Sequence, residues 1–187
     1  MRRCFVIVLM VLWAGVLGAE PLPYRLDNSA SRIEFTFDLE GIPMTGQVPV
    51  TRADVMIDFD DVTQSQVDVT LHVARATARV GFATDAMRGN SILAPGLFPE
   101  ARFQSRRVTP IGNGARIEGD LTLRGVTRPV ILDGAIFRKR GSQPDDLRDL
   151  VLIFEGALDR NEFGASGYKH LVAPQVKLRI LVAIVAL

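Results

Sequence analysis

The chain has one cysteine in 187 residues, two histidines, and almost no excess of either charge, with 22 Lys and Arg against 21 Asp and Glu. A single thiol, Cys4, excludes an intramolecular disulfide and a sulfur-ligated zinc site, so the fold must be held by packing. Balanced charge supplies no field for a phosphate backbone, and no local cluster of Lys and Arg restores one. Nucleic-acid binding is disfavoured on that ground. Aromatic residues are also scarce: the one Trp is Trp13, and the two tyrosines, Tyr24 and Tyr168, stand alone. An outer-membrane barrel carries aromatic girdles at both interfaces, so this composition argues against one.

Long hydrophobic runs are missing as well. The run from Phe5 to Leu17 falls short of the roughly 20 residues of a membrane-spanning helix. Arg2 and Arg3 precede it, the small pair Gly18 and Ala19 ends it, and Glu20, Pro21 and Pro23 follow. That pattern predicts a secretory signal peptide over residues 1–19, cleaved after Ala19, and a single domain over 20–187. An uncleaved anchor is the alternative. Cys4 precedes the apolar run and so is badly placed to become a lipid-modified N-terminus. The expectation is a soluble periplasmic or secreted protein.

What the sequence has in quantity is alternation. Ile33, Phe35 and Phe37 face one way and Arg32, Glu34 and Thr36 the other; the pattern recurs at Val55, Ile57, Phe59 and at Val67, Val69, Leu71, Val73. It returns at Ile117, Leu121, Leu123, at Val130, Leu132, Ile136, and at Leu150, Leu152, Phe154. Period two is the signature of half-buried strands, because successive Cβ atoms point to opposite faces. Turn residues separate the runs at Gly41 with Pro43, Asp60 with Asp61, Ile111 to Gly114, Gly125, and Gly141 to Asp146. Seven or eight such strands predict an all-β antiparallel fold, rolled into a barrel or stacked as two sheets. Phe82 to Leu93 and Asn161 to Leu171 break the alternation and are expected as short helical caps across an open end. The final run, Gln175 to Leu187, becomes apolar on both faces, which suits either a closing strand covered by the domain or a homodimer contact.

Catalytic patterns are thin. His72 and His170 have no partners at ligand spacing, Ser91, Ser105 and Ser166 lack a nucleophile elbow, and the glycine pairs introduce no phosphate-binding helix. Asp85 and Arg88, three apart on a helical turn, form either a surface ion pair or a polar contact at a barrel mouth with Met87 turned inward. Arg160 and Lys169 beside Phe163 invite the same two readings.

The segment LTLRGVTRPV, Leu121 to Val130, closely resembles the most recognisable stretch of the YceI-like family of exported lipid-binding proteins, also called polyisoprenoid-binding proteins. The resemblance continues in order through Tyr24, Leu26, Asp27, Thr77, Asp85, Arg88, Phe98, Pro99, Phe103, Ser105, Arg160, Phe163 and Gly164. It implies an antiparallel lipocalin-like β-barrel of about eight strands with one or two short helical caps, holding a long isoprenoid chain in an internal tunnel. The expected ligand-binding residues are then Phe35, Phe37, Leu71, Met87, Phe98, Phe103, Leu121, Leu123, Ile136, Phe154 and Phe163, with Asp85, Arg88 and Arg160 as polar partners. Plain core is the competing role for each apolar one. The implied ligand is an isoprenoid lipid or quinone, with no catalytic residue, metal or other cofactor, transient membrane contact, and a homodimer as an option. The chain departs from the family pattern where histidines are usual, near Ala30 and near Asp38 or Leu39; Met87 replaces a leucine, and a double aromatic is reduced to Leu97 and Phe98. Two other classes stay open: an enzyme acting on a small apolar substrate, and a solid structural barrel that dimerises.

Overall fold

The computed structural model describes residues 22–27, 29–138, 143 and 147–186; the expected signal peptide and most of the Gly141 to Asp146 turn lie outside them. The alternating segments form β1 (Leu22–Leu26), β2 (Arg32–Leu39), β3 (Ile42–Val48), β4 (Val50–Ile57), β5 (Gln66–His72) and β6 (Thr77–Ala78). One α-helix, α1 (Gly81–Met87), precedes β7 (Glu100–Ile111), β8 (Gly114–Leu123), β9 (Val126–Arg138), β10 (Asp149–Asp159) and β11 (Val172–Ala186).

These eleven segments occupy eight positions around one barrel. β1 and β2 are two halves of one staggered strand: both run antiparallel to β11, with Tyr24 opposite Ala186 and Ile33 opposite Ile180. β3 and β4 continue one another through Pro49, which has no N–H to give a ladder, and pair with β2 and β1 respectively. β5 and β6 are likewise parted by a 3-10 turn at Val73–Arg75. From there β7 to β11 follow in sequence order, each antiparallel to the last, and β11 closes the ring against β1 and β2. The result is an up-and-down barrel, in which each of the eight positions is paired on both sides and no full-length edge remains among the described residues, the two-residue β6 alone pairing on one side only. The C-terminal run is thus the closing strand, β11.

Tight turns match the twist of the hairpins: Glu40–Gly41 (φ 53 and 84) joins β2 to β3, and Arg124–Gly125 (φ 53 and 72) joins β8 to β9. The charged face of the alternation points outward. Arg116 and Asp133 sit opposite one another across β8 and β9 at 2.7 Å, Arg179 and Glu155 across β10 and β11 at 3.2 Å, and Arg102 grips Asp68 with two hydrogen bonds. A one-residue slip would turn these charges into the bore, so they help fix register as well as face.

The two ends differ. At one, Tyr24, Ile57, Leu150, Leu152 and Ile184 form a packed plug; the Tyr24 ring meets Phe59 edge-on at 6.1 Å and its hydroxyl donates to the Leu147 carbonyl at 2.9 Å. Burial raises the Tyr24 pKa. At the other end lie the β2–β3 and β8–β9 turns and two long connections, residues 79–99 and 160–171. These connections contain α1 and a 3-10 turn at Arg160–Phe163, and they act as lids.

Candidate ligand-binding site

Between plug and lids the barrel encloses a cavity of about 580 Å³, walled by the inward face of nearly every strand. Its volume falls within the range of about 300–1,000 Å³ typical of small-molecule sites. The bore stays open because three phenylalanine rings lie flat on the wall. Each ring covers a glycine on the neighbouring strand: Phe35 covers Gly46, Phe103 covers Gly119, and Phe154 covers Gly134. A Cβ on any of these glycines would come within 3.0 Å of two ring carbons. Glycine thus gives the ring a recess, and the ring in turn shields an otherwise weak strand position. Phe37 stacks beside Phe35 with ring centres 6.2 Å apart.

Among the described lining residues, four carry a hydrogen-bonding side chain: Ser31, Ser65, Arg160 and Tyr168. Ser31 Oγ accepts from the Ala183 N–H at 2.9 Å and donates to the Ala183 carbonyl at 3.2 Å, closing the gap where β11 changes partner from β2 to β1. Ser65 Oγ accepts from the Asp58 N–H. The Arg160 guanidinium, 5% exposed, donates to the carbonyls of Ala165, Gly167, Val172 and Ala173 at 2.5–3.0 Å. Desolvation lowers its pKa. Three of these groups therefore serve the protein's own backbone, and Tyr168 stands at the lidded end, half in water. What remains for a guest inside the barrel is hydrocarbon.

The lids are tied down by arginines. α1 presents Ala83, Ala86 and Met87 to the cavity, the spacing of one helical face. Arg88 turns back beneath it, its Nε and Nη2 donating to the Ala76 carbonyl at 3.2 and 2.9 Å. Arg124, in the β8–β9 turn, donates Nη1 to the carbonyls of Asn90 and Ile92 and lies over the Phe98 ring at 5.7 Å. The two lids then meet where the Gly167 N–H donates to the Ser91 carbonyl at 2.9 Å.

Of the residues expected at the site, Phe35, Phe37, Leu71, Met87, Phe103, Leu121, Leu123, Ile136, Phe154 and Arg160 line the cavity. Asp85, Arg88, Phe98 and Phe163 do not. Asp85 is exposed on α1, and the Arg88 guanidinium goes to the Ala76 carbonyl, so the two side chains do not form the surface ion pair with one another. Phe98 supports Arg124, and Phe163, 1% exposed, anchors the second lid in the core. His72 is half-buried, and its Nδ1 is enclosed without a partner. Sequence reasoning passed over Gly46, Gly119 and Gly134, whose signal was a glycine in the inward phase of an alternating strand. It also passed over Arg124, which lies inside the most recognisable segment of the chain.

A family model described as a YceI-like domain matches residues 24–184, essentially the whole barrel. The chain belongs to the YceI-like family. A UPF0312 protein of Vibrio parahaemolyticus is 26% identical over 147 residues, covering 76% of this chain and 77% of its own. A UPF0312 protein of Yersinia pestis is 33% identical over 85 residues, 44% of each chain. BcnA of Burkholderia cenocepacia superposes with a TM-score of 0.76 over 85% of this chain and 99% of its own at 18% identity. A Campylobacter jejuni YCEI protein gives 0.60 over 74% and 82% at 20% identity. At such identities these two likenesses speak for the fold. The YceI-like segment Leu121 to Val130 forms the β8–β9 hairpin, and the arginine in its turn holds the first lid in place.

Proposed function

We propose that this YceI-like barrel is an exported carrier or sequestering protein that holds the hydrocarbon tail of a long-chain polyisoprenoid, an isoprenoid quinone or a comparable amphipathic lipid. The observation that carries the reading is the cavity of about 580 Å³, whose polar lining groups are almost all engaged with the protein's own backbone. An unsolvated wall of Val, Leu, Ile and Phe gains about 0.8 kcal/mol for each buried methylene of a guest, offset by the ordering of a flexible chain. Polar atoms within the tail would lose their water without compensation, which selects for plain hydrocarbon. Binding of this kind needs no nucleophile, base or metal. The outward charges and inward apolar face also oppose the lipid-facing arrangement of a membrane barrel. Export to the periplasm belongs to the same proposal and is supported by the pattern of residues 1–19.

Titrating the protein with a fluorescent prenyl alcohol tests the reading. Saturation at one ligand per barrel, with competition by unlabelled prenyl lipid and none by a short polar alcohol, is expected. Absence of saturable binding by folded protein refutes it.

A further inference from the structure

Among the described residues, exposed large apolar side chains occur at both ends of the barrel, Met56, Ile111 and Phe137 toward the plugged one, but three of those at the lidded end border the cavity. Phe82 on α1, Tyr168 and Leu171 are 67%, 53% and 43% exposed, yet each also lines the cavity. They come from two separate connections and frame an opening. Ile42, 62% exposed, adjoins them at the tip of the β2–β3 hairpin, where the Glu40 N–H donates to the Leu171 carbonyl at 2.8 Å. The charges around this rim are mixed: Arg79, Lys169 and His170 are exposed, as are Glu40 and Asp85. The opposite end is closed by the Tyr24 plug.

We propose that this rim is a membrane-docking surface, with Phe82, Tyr168, Leu171 and Ile42 entering the interfacial layer of a bilayer so that tails pass between leaflet and cavity without crossing water. The proposal rests on the carrier reading. A leaflet is the occupant that fits, because the apolar rim is continuous with an apolar bore; a protein seated there would stopper the opening, whereas a leaflet extends the same hydrocarbon path. Aromatic side chains with aliphatic neighbours suit the headgroup boundary. Mixed charge leaves no net attraction to anionic lipid, so vesicles of phosphatidylcholine suffice and added salt does not release the protein.

The test uses the full chain with Cys4→Ser and a fluorophore on Phe82→Cys, on Leu171→Cys, or on Ile111→Cys at the plugged end, with iodide as aqueous quencher. Phosphatidylcholine vesicles are expected to remove quenching at positions 82 and 171 and to leave it at 111. The N-terminal apolar run precedes β1, which starts at the plugged end, so tethering through that run alone shields 111 instead and overturns the proposal. Shielding at 82 and 171 without vesicles overturns it too, in favour of a second copy. Ile42→Asp, which does not touch the cavity, should weaken vesicle binding about five- to tenfold while uptake of dispersed prenyl alcohol stays unchanged. If dispersed prenyl alcohol binds but the rim labels remain quenched, docking fails and the carrier reading survives. If the rim is shielded by vesicles but no prenyl lipid binds, docking stands and the carrier reading fails.

Discussion

Gly134→Ala tests the reason the barrel is hollow. A methyl group at this position would stand 2.6 Å from Phe154 Cε1 and 2.7 Å from the Ile153 carbonyl oxygen. Carbon atoms pack at about 3.5–4.0 Å, and Phe154 Cδ1 is nearer still than Cε1, so the ring must retreat by roughly 1–2 Å, and the only room lies in the bore. Overpacking of this kind costs about 1–3 kcal/mol, a loss of several degrees in Tm for a domain of this size. Part of that cost is backbone strain against Ile153 and part is the displaced ring. Phe154→Ala in the same chain removes the second part alone. Denaturant melts of wild type, both single variants and the double variant should therefore show a coupling of about 1–2 kcal/mol, with the double less destabilised than the sum of the singles. Affinity for a fluorescent prenyl alcohol should fall in Gly134→Ala as the ring enters the cavity, and recover in part in the double variant. Additive stabilities together with unchanged affinity would refute the seating of the ring in a glycine recess.

Replacing Arg160 by Ala strands four carbonyls, two on the second lid and two at the start of β11, and the expected loss is about 3–5 kcal/mol by chemical denaturation; a loss below about 1 kcal/mol would contradict its role as the lid's anchor. Gly167→Val places a Cβ within 2.8 Å of Ser91 Cβ and 3.0 Å of Ile92 Cδ1, prying the lids apart, so stopped-flow release of a bound prenyl probe should quicken; an unchanged release rate argues against this seam as part of the exit. The Asp68 and Asp133 carboxyls are held below their ordinary pKa by hydrogen bonds from Arg102 and Arg116. As pH falls, the unfolded chain takes up these protons first, so the stability they contribute is full at neutral pH and is lost below about pH 4. Thermal melts of the Asp68→Asn, Asp133→Asn double variant should show a shallower acid decline than wild type, and an unaltered decline would deny these pairs any part in acid stability.

The direction each strand residue faces was legible in the sequence, because period two is set by backbone geometry alone. Ile33 to Phe37, Val67 to Val73 and Leu121 to Leu123 all turn the predicted side chains inward. The interruptions that divide three of the eight strand positions were not legible. They depend on how a staggered ring closes, and only Pro49 leaves a local mark. Hollowness was also hidden: apolar residues on an inward face fill a core or line a cavity equally well, and the outcome turns on which glycine each ring meets across the ladder. Once register is known, Gly46, Gly119 and Gly134 become informative. The roles of the arginines were hidden for a related reason. The lids and the strand ends beside them leave backbone carbonyls without ladder partners, and a buried chain must satisfy them. Arg88 and Arg160 do so here, so charge near an expected mouth did not translate into charge available to a ligand.

Whether the bore carries hydrocarbon in the cell is decided by mass spectrometry of organic extracts from protein purified without detergent from its native host. One prenyl-tailed lipid per barrel is expected, absent from a control barrel carrying Gly134→Leu. Recovery of no lipid from folded protein, or of a stoichiometric polar guest, would contradict the carrier reading.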